Sequence, residues 1–397
     1  MTMDRTRWGA VAALILAGVV VALQIGKAAI AVPVLQKELG LSLVLASWVI
    51  GTYGVLGAVA GLPSGIVASL FSAKRTLIAG LIAAGLGSLA GALVSDGALL
   101  IATRVLEGCG FLAAVLAIPR LLRAVTAPRD RDTVLALFGA YMPVGSLTMM
   151  LAGPHLIAHG WQSLWIVNGV IALAYAAVVA FLRVHEDAHP TAPLQTLVPN
   201  VKTALGAGGP ILLALAFGIY TFQYSAMANF LPTLLVDRLG LSISAAGTIS
   251  AITVAANAVG NVFAGALLRI GTPIWAIAAF GFCFVGAAGF GVFSEQLPVM
   301  LIAILASASL AITGLIPASI FAAAPRFAAT SALLAIVLGL LNQSSNLGNL
   351  FGPAAMATMV QHFGWARAPF LFLGVTACGL VVSLLLRAAM KDVRREA

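Results

Sequence analysis

The chain has 397 residues, 61% of them hydrophobic and only 8% charged, and its mean hydropathy is +1.09. Soluble domains carry about 25% charged residues, so there is too little charge here to cover the two or three soluble domains this length would otherwise make. The net charge of +9 comes without a basic stripe interleaved with aromatics, which excludes nucleic acid as a partner and leaves the lipid bilayer as the solvent for most of the molecule.

A membrane-spanning helix needs about 20 mostly apolar residues. The first such segment is 8–35, directly after Arg5 and Arg7. It exceeds the apolar core of a secretory signal, about 7–15 residues, and reads as a retained helix; it carries Gln24 and Lys27. The second, 44–70, has Gly54, Gly57, Gly61 and Gly65 at spacings of 3, 4 and 4, a small-residue stripe for close helix contact. Then come 76–95, 97–122 (with Arg104 and Glu107), 134–158 and 161–182. The stretch 183–209 breaks the apolar pattern with Arg183, His185, Glu186, Asp187, His189, three prolines and Lys202, and reads as a cytoplasmic linker lying on the membrane surface. Six further segments follow at 210–234, 245–268, 272–293, 297–322, 331–360 and 365–388. The expectation is an all-α membrane protein of twelve transmembrane helices: an N-terminal six-helix bundle over 1–182, a linker over 183–209 and a C-terminal six-helix bundle over 210–397. Pro33, Pro119, Pro143, Pro154, Pro317 and Pro353 fall at or inside helices and are candidate kinks.

With the N-terminus inside, the inner loops hold sixteen Lys and Arg and the outer loops three. This positive-inside bias puts both termini in the cytoplasm of a multi-pass, bacterial-type inner-membrane protein. Cys109, Cys283 and Cys378 lie far apart in apolar runs and are expected to be small buried hydrophobes.

The two halves repeat. Residues 32–42 read VPVLQKELGLS and 231–242 read LPTLLVDRLGLS. Pro33 pairs with Pro232, Ile118-Pro119 with Ile316-Pro317, Gly153-Pro154 with Gly352-Pro353, and Gly160-Trp161 with Gly364-Trp365, at offsets of 198 to 204. Duplicated six-helix halves predict a transporter with its site between the repeats near the midplane.

Arg104-Val-Leu-Glu107-Gly108-Cys-Gly110 in the fourth segment matches the R-x-x-x-G-x-G motif of the major facilitator superfamily, which the whole chain resembles. Between segments two and three that family has G-x-x-x-D-R-x-G-x-R-R. Here Gly65 and the closing Lys74-Arg75 remain, while Ser69, Leu70 and Ser72 replace the acid, the first arginine and the second glycine. The charge-based gate of that loop therefore does not carry over. Gly153-Pro154 is similar to the antiporter motif, but Ile157-Ala158 stands where its glycine pair should follow, which counts against a drug antiporter. The stretch from Arg104 through Ile118-Pro119-Arg120 to Tyr141, Pro143 and Gly145 is similar in texture to the cyanate-permease-like branch.

Intramembrane charge is expensive, about 2.5–3.5 kcal/mol on insertion scales, and marks function by default. The interior of the predicted helices holds three charges, Lys27, Arg104 and Glu107. Arg104 and Glu107, three apart, share neighbouring helix faces. Lys27 and Arg104 fall at similar depths, and the family resemblance implies that the first and fourth helices both line the central cavity, so the three charges are expected in one pocket. Two cations and one acid leave one positive charge over, which an anionic substrate would balance: Arg104 offers a planar fork and Lys27 a point charge, and Glu107 is the candidate proton carrier. Two bland alternatives stand beside this. Glu107 pairs with Arg104 or Lys27 only to lock helices together, or Lys27 snorkels to the outer surface.

The C-terminal half has no charge inside a helix. Tyr220, Phe222, Gln223, Tyr224 and Asn229 are candidates to close over a small substrate, with Gln24 a pocket neighbour of Lys27. Asn342, Asn346 and Asn349, like Asn257 and Asn261, share faces at helical spacing, where interhelical hydrogen bonding competes with substrate binding; Asn342 and Asn346 are carried as substrate-binding candidates. His155, His159, His185, His189 and His362 form no metal-binding or hydrolase pattern, and no P-loop is present, so no catalytic residue, metal or cofactor is expected. The reading is a secondary active transporter, a monomer, moving a small organic or inorganic anion by alternating access, coupled to protons as a symporter, with the direction of transport open. Efflux of hydrophobic drugs by the same fold is the first alternative. A non-transporting membrane sensor is the second, for which neither the 183–209 loop nor the short tail leaves a signalling domain.

Overall fold

The computed structural model describes residues 5–59, 71–184, 202, 206, 208–328 and 330–396. Most of the predicted linker, and the Gly61 and Gly65 half of the glycine stripe, lie outside the described residues. Every regular element among the described residues is helical. The first group is α1 (Trp8–Leu39), α2 (Leu43–Val59), α3 (Ala73–Ala92), α4 (Gly97–Val125), α5 (Arg131–Gly139), α6 (Tyr141–Ile157) and α7 (Gln162–Phe181). The second is α8 (Gly208–Thr233), α9 (Ile243–Arg269), α10 (Ile274–Val292), α11 (Val299–Thr313), α12 (Leu315–Ala323), α13 (Ser331–Phe363) and α14 (Ala368–Glu396). Among the described residues ten helical runs are long and apolar enough to cross a membrane. Residues 44–59 of the expected segment 44–70, and all of 331–360, are also helical, as α2 and within the 33-residue α13.

Two of the expected segments are broken, and proline explains where. Proline gives no hydrogen bond to the carbonyl four residues back, and its ring clashes there. Pro143 stands four residues after Gly139, the last residue of α5, and Pro317 four after Thr313, the last of α11. Pro33, Pro119, Pro154 and Pro353 are instead absorbed within α1, α4, α6 and α13.

The repeated Leu-Gly-Leu-Ser run has a structural reason in both places. Gly40 and Gly240 adopt left-handed φ of 63° and 65°, which only glycine takes without strain, so each ends the helix before it. Ser42 Oγ then accepts the Leu45 N–H and Ser242 Oγ the Ala245 N–H, both at 3.2 Å, capping α2 and α9.

The chain divides into two compact units. One comprises Met1–Leu56, Pro63–Thr191 and Leu241–Ala251; the other comprises Gly57–Leu62, Ala192–Gly240 and Ile252–Ala397. In the first, α1 packs on α6, and α3 packs on both α4 and α7. In the second, α8 packs on α13, and α10 packs on both α11 and α14. Each unit has its own apolar core, around Leu14, Leu77, Ile118 and Val179 in the first and around Leu213, Phe282, Ile320 and Leu341 in the second.

The cysteines correct an expectation. Cys109 is half-buried, and Cys283 and Cys378 are exposed on their helices. In a membrane the outer face of a helix meets lipid and is as apolar as the core, so hydrophobic surroundings do not distinguish the two.

Candidate functional site

Glycines bring the helices of the first unit close enough to form the site. A Cβ on Gly108 would run into the Tyr53 carbonyl of α2, and one on Gly110 into the Gly80 carbonyl of α3. A Cβ on Gly80 would in turn lie 2.7 Å from the Gly110 carbonyl. The two glycines of the R-x-x-x-G-x-G motif thus seat α4 directly on α2 and α3, which aims Arg104 and Glu107 inward. Gly87 leaves the room that Glu107 occupies, since a Cβ there would lie 3.0 Å from Glu107 Cγ. Gly108→Ala is therefore expected to lower stability by about 1–3 kcal/mol or more, the range for overpacking, because its obstacle is backbone. Thermal unfolding in detergent checks this, and an unchanged midpoint would show that α2 and α4 can part without loss.

Lys27, Arg104 and Glu107 are all 0% exposed and in mutual contact through one carboxylate. Glu107 Oε1 lies 3.0 Å from Lys27 Nζ, and Oε2 receives Arg104 Nη1. Lys27 also donates to Ser88 Oγ of α3 at 2.6 Å and stands over the Trp165 ring of α7, 4.7 Å from its centroid. Ser88 Oγ passes a hydrogen bond on to the Trp165 carbonyl at 2.7 Å. Arg104 spreads its fork, with Nε donating to the Val49 carbonyl at 2.8 Å and Nη2 to the Gln24 carbonyl at 2.9 Å. Its guanidinium lies 5.2 Å from the centroid of Tyr53, a cation–π contact. Five helices, α1, α2, α3, α4 and α7, thus meet on three charges.

The expected meeting of the three charges is what the structure has, and the snorkelling alternative for Lys27 is overturned. Its ammonium finds a carboxylate and a hydroxyl inside the unit, so extending to the surface would lose both. Sequence reasoning missed Ser88, Trp165, Tyr53 and the Val49 carbonyl. A tryptophan four residues inside the sixth segment, away from its end, was the one available signal for Trp165; backbone carbonyls leave none. Gln24 is near the cluster through its backbone, but its side-chain amide, 0% exposed, has no hydrogen-bonding partner among the described residues.

In the second unit, Tyr220 Oη donates to Asn257 Oδ1 at 3.2 Å, and Asn257 Nδ2 to the Leu310 carbonyl at 2.8 Å, an interhelical chain from α8 through α9 to α11. The Tyr220 and Tyr224 rings lie 5.9 Å apart. Gln223 and Asn229 are buried on α8, at 1% and 9% exposure. Asn346 Nδ2 donates to the Asn342 carbonyl one turn earlier on α13, at 2.8 Å. These candidates stand on the neighbouring helices α8 and α13, and among the described residues no group of three or more His, Cys, Asp or Glu could hold a metal ion.

The sequence model of one family, described as Major Facilitator Superfamily, matches residues 14–336 and 213–396. The 3-(3-hydroxy-phenyl)propionate transporter of Escherichia coli (strain K12) is 30% identical over 233 residues, covering 56% of this chain and 55% of that protein. The puromycin resistance protein pur8 of Streptomyces alboniger is 29% identical over 216 residues, covering 54% of this chain and 42% of that protein. The chain spans about half the length of these curated relatives. A crystal structure of a bacterial homolog to the human lysosomal transporter Spinster, inward-facing and occupied, superposes with a TM-score of 0.81 at 14% identity, covering 98% of both chains. At that identity the likeness is one of fold.

Proposed function

From the premise that this chain belongs to the major facilitator superfamily, and so is a multi-pass membrane transporter and not an enzyme, we propose that it moves a small carboxylate-type anion together with protons by alternating access. The observation that carries this reading is one carboxylate shared by two fully buried cations. With all three groups ionised, the cluster holds one positive charge more than it can neutralise, and an unbalanced buried charge is strongly destabilising. Protonating Glu107 raises the excess to two and releases both cations from their common partner. An incoming anion then replaces what the proton removed. Binding of anion and proton is therefore mutually favourable, which is the thermodynamic content of symport. Lys27 and Arg104 bind the anion, Gln24 lies beside them, and Glu107 carries the proton. Tyr220, Gln223, Tyr224 and Asn229 on α8, and Asn342 and Asn346 on α13, are proposed as further, uncharged substrate-binding residues.

The wider architecture proposed is twelve membrane helices in two repeats, 1–182 and 210–397 around a linker at 183–209, both termini cytoplasmic, in a bacterial-type inner membrane, as a monomer. The helix partners in the two units support the repeat: the first spanning helix packs on the fifth, and the third on the fourth and sixth, in each. The name of the 3-(3-hydroxy-phenyl)propionate transporter denotes a carboxylate, and the texture shared with the cyanate-permease-like branch also suits a small anion.

Drug efflux is the second reading. It is favoured by the puromycin resistance relative and by the way Arg104 is saturated with carbonyls, as a purely structural arginine would be. Lys27→Ala separates the two. It should reduce anion uptake into proteoliposomes at least about a hundredfold, the effect of removing a charge-assisted contact of about 3 kcal/mol, and leave efflux of neutral drugs nearly intact. Ligands are found first by thermal shift, since a specific binder raises the melting point by mass action. Stabilisation by neutral lipophiles alone, equal in Arg104→Ala, would replace the anion reading with efflux.

A further inference from the structure

Glu107 presents one oxygen to each cation, Oε1 to Lys27 Nζ at 3.0 Å and Oε2 to Arg104 Nη1. A proton taken up by the carboxylate removes the charge from both contacts, but only one oxygen carries the new O–H. That oxygen becomes a donor, and the N–H facing it must give way. The other oxygen remains a carbonyl and still accepts. Which cation moves depends on what else holds it.

Arg104 is pinned by its fork. Nε donates to the Val49 carbonyl at 2.8 Å and Nη2 to the Gln24 carbonyl at 2.9 Å, and the guanidinium lies over the Tyr53 ring. In a planar group those two bonds fix where Nη1 points, so a proton on Oε2 would meet an N–H that cannot turn away. Lys27 has one nitrogen with three N–H groups on a flexible stem. Two other acceptors already face it, Ser88 Oγ at 2.6 Å and the Trp165 ring, whose centroid is 4.7 Å from Nζ. The Ser88 hydroxyl itself donates to the Trp165 carbonyl at 2.7 Å. A carbonyl only accepts, so the hydroxyl proton is committed there and Oγ turns lone pairs alone toward the ammonium. Trp165 thus holds Lys27 twice, through its ring and, by way of Ser88, through its carbonyl.

We infer that the proton enters Glu107 on Oε1, that Lys27 is the cation it displaces, and that Ser88 is the positioning residue that keeps the displaced ammonium beside the carboxyl. The proton forms the Oε1–H bond, and Lys27 keeps all three of its own. The N–H that leaves Oε1 is the one offered to the incoming anion, while Arg104 stays on Oε2. This rests on the proton-coupled anion transport proposed above and assigns the order of events within it. Among the described residues, the charged and titratable groups around Glu107 are Lys27 of α1, Arg104 of α4 and the Tyr53 phenol of α2. α3 and α7 contribute Ser88 and Trp165, which do not titrate.

The test is the pH profile of uptake into proteoliposomes at subsaturating anion, with labelled acetate, lactate, benzoate and 3-phenylpropionate as probes, in wild type, Ser88→Ala and Ser88→Thr. While Glu107 is ionised, its carboxylate holds the ammonium with or without Ser88. Once it is protonated, the hydroxyl is the strongest acceptor left, so Ser88→Ala penalises the protonated state most. Uptake by that variant should reach half its maximum about one pH unit lower than in wild type, and above the wild-type midpoint KM should rise about tenfold, the same step expressed as affinity, with kcat little changed. Ser88→Thr keeps the hydroxyl and should restore the wild-type profile. Ser88→Ala removes one oxygen and adds no bulk, so its profile decides the matter if the threonine methyl lowers the melting temperature. An unmoved profile in Ser88→Ala, with or without a loss of kcat, overturns the inference and leaves anion transport standing, since a merely structural serine would behave so. An equal acid shift in Ser88→Thr at an unaltered melting temperature also overturns it. Uptake of no anion at all by wild type removes the anion reading, and this inference with it.

Discussion

Glu107→Gln should abolish proton-driven accumulation while leaving exchange of the anion across the membrane. Glutamine keeps the shape of the protonated acid and can no longer lose the proton. Lys27 and Arg104, each held by one oxygen of Glu107, then remain two cations with no carboxylate between them at any pH. Anion binding no longer waits for a proton, so its pH dependence disappears. Net uphill uptake under an imposed pH gradient should fall to background, and counterflow of labelled against unlabelled anion should persist. Removing one member of a buried ion cluster also destabilises by about 3–5 kcal/mol, so the variant should unfold at a lower temperature, and added anion should restore part of the loss. Accumulation that survives in Glu107→Gln would show that the proton travels by another group.

Arg104→Lys should be nearly as damaging as Arg104→Ala, although it keeps the charge. The guanidinium serves three acceptors in three directions: the Val49 carbonyl at 2.8 Å, the Gln24 carbonyl at 2.9 Å and Glu107 Oε2. It does so from a planar fork that a single ammonium cannot reproduce. Lysine at this position keeps one of these contacts and loses charge-assisted hydrogen bonds to the others, at about 1.5–3 kcal/mol each. The expected loss is about 2–5 kcal/mol, read as thermal unfolding in detergent, with uptake lost as well. A stable, active Arg104→Lys would show that charge alone suffices at this position.

Much of the architecture was legible because lipid imposes a simple rule: apolar runs of spanning length become helices. Each predicted segment coincides with helix in the described residues. The breaks at Gly139 and Thr313 were less legible. Proline within a run is absorbed at Pro119 and Pro353 but ends a helix before Pro143 and Pro317, and neighbours decide which. At the site, the three charges were conspicuous against an uncharged background, and the spacing of Arg104 and Glu107 placed both on adjoining faces. Trp165 and Ser88 were hidden because residues of their kind occur throughout membrane helices. The acceptors at Val49 and Gln24 were hidden because a carbonyl carries no residue signature. The outward-facing cysteines mark the same limit from the other side, since lipid and protein core select the same residues.

The interruptions after Gly139 and Thr313 also bear on how force passes along the molecule. An unbroken helix behaves as a stiff rod and carries a twist or push from one end to the other. A rod interrupted at one residue, as at Ala140 and Gly314, is weakest there and bends there first. α5 with α6, and α11 with α12, are such jointed struts, whereas α1, α4 and α13 run unbroken for 32, 29 and 33 residues. A displacement imposed on one end of a long rod is thus expected to reach the other end whole, while the runs through Ala140 and Gly314 yield first at those two residues.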